Sequence, residues 1–380
     1  MKIGIMTYWN VGNNYGTVLQ CWALQRFLKK NGHTPFLIRY QYNAGKNLLL
    51  SLCKMMNPRK AWNVLRNKIF SVFFEDKKFA AEQKEVFQDF LANELEVSEL
   101  QYGSYVELKN NPPMADAYIA GSDQVWNFYQ NKLHVVRDHI NAFFLNFGND
   151  KTRRISYAAS FGGDSFKQEY SSEITSLLAQ FTAVSVREKR GTDICSQYGR
   201  TDAAHVLDPT LLLTADDYRE FYRSKSVELP AKKYAFVYLL ENESTVSLDE
   251  IAAWAKKNDL EIVYIPGQGC RKNTPVAKSA LSVHEWLALL DNAQCVITNS
   301  FHCCVFSIIF QKSFAFNRQT GKFASQNVRI DNLLSMFGIP ERDFDKIGDP
   351  ASVSIDYNKA GDLLQDYLTQ SQNFLNSSLK

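Results

Sequence analysis

Residues 295–310 read CVITNSFHCCVFSIIF, and the change of character at Ser300 decides the fold. CVITN has the β-branched centre of a strand. HCCVFSIIF has the apolar density of a buried helix, and Ser300 stands between the two as a helix cap. A strand that runs through a cap into a buried helix is half of a parallel βα unit.

The alternation continues in both directions. Downstream, SFAF closes the series and residues 357–377 form a terminal helix. Upstream lie YAFVYLL from Tyr234, a helix around 247–258, EIVYIP and a helix over 283–292. An earlier series opens with KIGIMTY (2–8), a Gly/Asn loop, the helix TVLQCWALQRFLKKNG stopped by Gly32, and the strand FLIRY (36–40). Residues 46–93 read as mostly helical, and AYIAGS (117–122), FFLNF (143–147), RRISYAAS (153–160) and AVSVRE (183–188) as strands. Two series joined near 205–232 predict an α/β protein of two facing, doubly wound lobes with parallel sheets. The expected divisions are 1–205, 206–355, and a helix over 356–380 packing back across the lobes.

Composition narrows the function. At 380 residues the chain exceeds one ordinary core, and 45% hydrophobic with 22% charged residues is typical of a soluble globular protein. A net charge of +3 without a long basic run gives a nucleic-acid partner no footing. The seven cysteines are odd in number and scattered, which predicts a reducing, cytoplasmic setting. The start, MKIGIMTYW, reads as a strand and not a signal peptide.

Ligands of open parallel sheets bind beyond the carboxyl ends of the strands. Four such loops carry chemistry here. WNVGNNYGT (9–17) has Gly12 and Gly16, which allow close backbone approach, beside amide side chains. GSDQVWN (121–127) places Asp123 at a helix start, as a cap or as a group that holds or deprotonates a hydroxyl. VSVREKRGT (184–192) offers Arg187, whose fork suits a carboxylate or phosphate, or an ion pair with Glu188. In the opening stretch, His302 sits in the first turn of its helix, a candidate for proton transfer beside a docked anion. Adjacent helix positions diverge by about 100°, so His302, Cys303 and Cys304 do not converge on a metal. Cys303 as a nucleophile competes with the plainer reading of packed core.

With these loops together, the chain resembles the polysaccharide pyruvyl transferase family over about residues 2–340. The segments that carry the resemblance are NNYGTVLQCWALQ, GSDQVWN, SYAASFG, VSVRE, VLDPTLLL, NAQCVITNSFH and FSIIFQKSF. The resemblance implies a GT-B-like fold with the active site between the lobes. It also implies transfer of pyruvate from phosphoenolpyruvate onto a sugar or lipid-linked oligosaccharide as a cyclic ketal, with no metal or other cofactor. Donor contacts would fall on Arg187, Ser300, Phe301 and His302, with His302 and Asp123 catalytic. Acceptor contacts would fall on Asn14, Tyr15, Gly16, Ser122, Asp123 and Gln124. Ser300 stands where some members carry a basic residue, and Cys303 where many carry glycine.

The stretch 48–70 sets Lys54, Arg59, Lys60, Arg66 and Lys68 among Leu, Met and Trp, either a peripheral membrane contact or a solvated helix. The rival activities are a nucleotide-sugar glycosyltransferase and a noncatalytic carbohydrate-binding relative. For the first, EIVYIPGQGC (261–270) has glycines but no clear acidic partner for a ribose nearby.

Overall fold

The computed structural model describes residues 1–10, 14–42, 76–127, 133–162, 168–240, 243–267 and 280–380. The basic stretch 48–70, Gly12 and the end of EIVYIPGQGC lie outside the described residues.

The first lobe is built from β1 (Lys2–Met6), α1 (Tyr15–Lys30), β2 (Thr34–Tyr40), α2 (Asp76–Glu94), β3 (Val97–Tyr102) and α3 (Tyr105–Asn110), followed by β4 (Ala117–Ala120), α4 (Leu133–Phe143), β5 (Arg153–Ser156) and α5 (Ser171–Leu178). Five strands form a parallel sheet in the order β3-β2-β1-β4-β5. A two-stranded parallel ladder of β6 (Ser185–Val186) and β7 (Ala204–His205) flanks α6 (Lys189–Gln197). A 3-10 turn over Pro209–Leu212 and α7 (Ala215–Arg223) lead onward.

The second lobe contains β8 (Tyr234–Leu239), α8 (Leu248–Lys257), β9 (Glu261–Pro266), α9 (Val283–Asn292), β10 (Cys295–Thr298), α10 (Phe301–Ile309) and β11 (Phe314–Phe316). Its parallel sheet runs β11-β10-β8-β9. Then come α11 (Asn327–Met336), the single turn α12 (Phe344–Ile347) and α13 (Tyr357–Ser378). The expected α/β architecture of two lobes with parallel sheets is the one observed.

Local sequence explains the helix starts. The Asn14 side chain accepts from the Thr17 amide to begin α1, and Ser300 accepts from the Cys303 amide to begin α10. Reciprocal Ser/Thr–acid capping boxes start α7, α8 and α9.

Some strand expectations fail. FFLNF is not a strand: Phe143 ends α4, and Leu145 turns the chain at φ +57°. Its apolar residues face the core, while the carbonyls of Leu145 and Phe147 accept from the Arg154 guanidinium. RRISYAAS leaves the sheet after Ser156, with Ala158 at φ +53°, and AVSVRE pairs only through Ser185 and Val186.

The lobes share a core. Tyr15 stacks on Trp286 with ring centroids 5.2 Å apart and donates its hydroxyl to the Leu281 carbonyl at 2.8 Å. Trp22 packs against Tyr218 and Phe221, and Tyr218 against Phe306. One apolar cluster therefore runs from α1 through α7 to α9 and α10. Helix α13 touches both sides. Tyr357, at its start, bonds the Lys312 carbonyl, whereas Ser378 accepts from Arg153 at 3.3 Å and Ser371 accepts from the Leu207 amide at 2.9 Å.

Candidate active site

Each sheet reverses its winding once, between β1 and β4 in the first lobe and between β8 and β10 in the second. The crevices beyond such reversals are where parallel sheets hold ligands. Here the loop after β4 meets the loops after β6 and β10 on a single buried carboxylate.

That carboxylate is Asp208, which lies in the segment VLDPTLLL and caps the 3-10 turn over Pro209–Leu212. Its Oδ1 accepts from the Thr210 amide and hydroxyl at 3.0 and 2.7 Å. Its Oδ2 accepts from Ser122 Oγ at 3.0 Å and Arg187 Nη1 at 3.1 Å, and lies 3.6 Å from His302 Nε2. Burial alone would raise its pKa. The facing His302 ring, the Arg187 guanidinium and the Thr210 amide outweigh that, and hold Asp208 well below the usual carboxylate range.

Arg187 is 5% exposed and is also held by Glu188, whose Oε1 accepts from Nε at 3.0 Å. Burial opposes its charge, but Glu188 and Asp208 more than offset this, so its pKa lies above the ordinary arginine value. The ion pair with Glu188 is therefore real, yet among the described residues the buried Nη2 has no partner. The guanidinium lies 4.9 Å from the Phe301 ring centroid.

A second arginine approaches the same ring. Arg329, on α11, has its guanidinium 5.9 Å from the Phe301 centroid and bonds Gln326, while its buried Nε has no partner among the described residues. Burial and the like charge of Arg187 push its pKa down to about 10. Asp208, Arg187, Phe301 and Arg329 line a cavity of about 270 Å³ together with Lys189 and His205. Nothing in the residue pattern around 329 marks it, because an isolated arginine on a helix reads as solvated.

His302 lies in the first turn of α10 but does not line that cavity. Its ring packs on Gly16, where an added Cβ would fall 2.2 Å from Nδ1, and its Nε2 faces Asp208 without a hydrogen bond. Gly16 thus admits a side chain of the other lobe. Ser300 is a buried cap, and burial pushes the Cys303 thiol up to about 12, so it is neutral packed core and not an activated nucleophile.

The residues expected to face the acceptor are divided. Tyr15 is fully buried between the lobes, and Ser122 is fully buried on Asp208, so neither offers a free group. Gln124 bonds Asn127. Asp123 is not at a helix start. It occupies a turn at φ +74°, accepting from Thr17 Oγ1 at 3.0 Å and from the Gln124 amide at 2.8 Å. Among the described residues no group of three or more His, Cys, Asp or Glu could hold a metal ion, and no helix is long and apolar enough to cross a membrane.

A family model described as polysaccharide pyruvyl transferase matches residues 14–316. The chain belongs to the polysaccharide pyruvyl transferase family. The matched span contains Asp123, Arg187, Asp208 and the Ser300–His302 turn, whereas Arg329 lies beyond it. No curated protein matches the chain. Among solved structures it is similar to UDP-GlcNAc 2-epimerase from Methanocaldococcus jannaschii, in complex with UDP-GlcNAc and UDP, at 11% identity over 97% of this chain and 100% of that one, TM-score 0.46. It is similar to the Neisseria meningitidis UDP-GlcNAc 2-epimerase at 10% identity (97% and 100% covered, TM-score 0.43). It is also similar to the glycosyltransferase VinC in complex with dTDP at 11% identity (100% and 99% covered, TM-score 0.41).

Proposed function

We propose that this pyruvyl transferase family member takes phosphoenolpyruvate as donor and sets its pyruvyl group on two hydroxyls of one sugar in a surface polysaccharide or its lipid-linked precursor. The observation that carries this reading is the pair Arg187 and Arg329 at one small cavity, each with a buried N–H that no group among the described residues accepts. Buried donors are almost always satisfied, and two adjacent guanidiniums repel each other. A small polyanion relieves both conditions. Arg329 supplies from α11 the positive charge that Ser300 does not.

In the reaction, a sugar hydroxyl adds to C2 of the donor while C3 takes a proton. The C2–O bond to phosphate breaks, and the second hydroxyl closes the ketal on C2. Of the two hydroxyl protons, one balances the new methyl group and the other leaves with inorganic phosphate. His302, backed by Asp208, is the proton-transfer group, and Asp123 orients or deprotonates the acceptor from the first lobe. The arginines hold the donor's charge without reorganising.

The test is a melting-temperature series with phosphoenolpyruvate against UDP-, GDP- and CMP-sugars, followed by phosphate release in the presence of acceptor glycan. Phosphoenolpyruvate should stabilise the wild type and lose at least about tenfold in affinity in Arg329→Gln, the size of one charge-assisted hydrogen bond. Stabilisation by a nucleotide-sugar alone would assign the site to glycosyl transfer instead.

A further inference from the structure

Beyond the ends of β1 and β2, away from the arginine cavity, lies a second cavity of about 220 Å³ with a different character. Its walls are rings. Tyr8 and Tyr40 pack on Phe143 with centroids 5.1 and 5.9 Å apart, and Tyr40 and Tyr42 meet His139 edge-on at 6.1 and 5.9 Å. Its rim is amide: Asn10 donates to Gln41 at 2.9 Å. Two polar atoms at this cavity are buried without partners among the described residues, the hydroxyl of Tyr40, a residue only 5% exposed, and Nδ1 of His139. Such atoms in an otherwise packed ring cluster await a ligand with hydroxyl groups.

We propose that this aromatic cavity binds one pyranose ring of the acceptor glycan, its C–H face against Tyr8 and Tyr42 and its hydroxyls on Tyr40 Oη and His139 Nδ1. A sugar ring offers that combination, an apolar face edged by donors and acceptors, which neither phosphoenolpyruvate nor a nucleotide phosphate does. The location suits the role. Tyr8 lies close enough to Asp123 for that carboxylate to add to burial in holding the phenol above its ordinary pKa. A ring seated here therefore lies on the same side as the residue assigned to the acceptor hydroxyls. The role as acceptor subsite rests on the pyruvyl-transfer reading, but the sugar binding itself does not.

Saturation-transfer NMR with the methyl glycosides of glucose, galactose, mannose and N-acetylglucosamine tests it, on wild type, Tyr40→Phe, Tyr42→Ala and His139→Gln. At least one glycoside should receive saturation at its ring protons from the wild type, and each variant should weaken this several-fold while keeping the melting shift with phosphoenolpyruvate. Tyr40→Phe retains the ring and Tyr42 is only half-buried, so loss of fold is separable by the melting temperature. Unchanged transfer in all three variants, or none to the wild type, overturns the proposal. Glycoside binding at these residues without any phosphoenolpyruvate shift or phosphate release would support the sugar cavity and remove pyruvyl transfer as its purpose.

Discussion

Asp208 concentrates the consequences of single substitutions. It neutralises Arg187, faces His302 and accepts from Ser122 and Thr210, so Asp208→Asn leaves a buried guanidinium undercompensated. The expected loss is about 3–5 kcal/mol in a urea titration, as for other broken buried pairs. Because its folded pKa is depressed, its stabilisation is complete above the unfolded value of about 3.9 and is lost as acidification proceeds below that. The wild type should therefore lose stability more steeply than Asp208→Asn below about pH 4. Gly16 gives a second prediction. A methyl group there meets the His302 ring at 2.2 Å, so Gly16→Ala should cost about 1–3 kcal/mol and reduce turnover more than donor affinity. Equal turnover in Gly16→Ala would show that the position of His302 is not critical.

At the scale of elements, α9 carries a pH-dependent contact. His284 stacks on Phe221 with centroids 4.2 Å apart, and burial pushes its pKa down to about 4. Unfolded histidine titrates near 6.5, so between about 6.5 and 4 the unfolded chain binds a proton that the native chain refuses. Stability should rise with pH through that window, and His284→Gln should flatten the melting-temperature profile there. His139, also held near 4, supplies part of the remaining slope. The elements most legible in the sequence were those with a cap and a clear period: α9 over Val283–Asn292 has both, as does α10 behind Ser300. β3 was missed because VSELQY has neither a strict alternation nor an apolar run, and three of its residues in a row are exposed. FFLNF was misread because an apolar run looks the same whether its carbonyls pair with a neighbouring strand or with Arg154.

For the whole molecule, two sheets would ordinarily suggest two unfolding units. The apolar cluster from α1 to α10 crosses between them, and calorimetry should show one transition, not two. The sequence located the loops of the site because they follow strands, but not the hub that joins them. Asp208 reads as a turn residue, and its four partners are separated from it by up to about a quarter of the chain, as Ser122, Arg187 and His302 show. Arg329 was hidden for the same reason. A lone cation acquires meaning only through the ring and the second cation beside it.

The seating of Tyr15 between Trp286 and the Leu281 carbonyl bears on how new acceptor preferences could be built. Exchanging whole lobes between relatives is an obvious engineering route for a two-lobed transferase. In this chain a junction cut cleanly near residue 205 would separate Tyr15 from its stacking partner, Gly16 from His302, and the far end of α13 from Arg153. A workable chimera must carry α13 and the matching faces of α1, α9 and α10 as one inheritance, with exchange confined to the rim of the aromatic cavity.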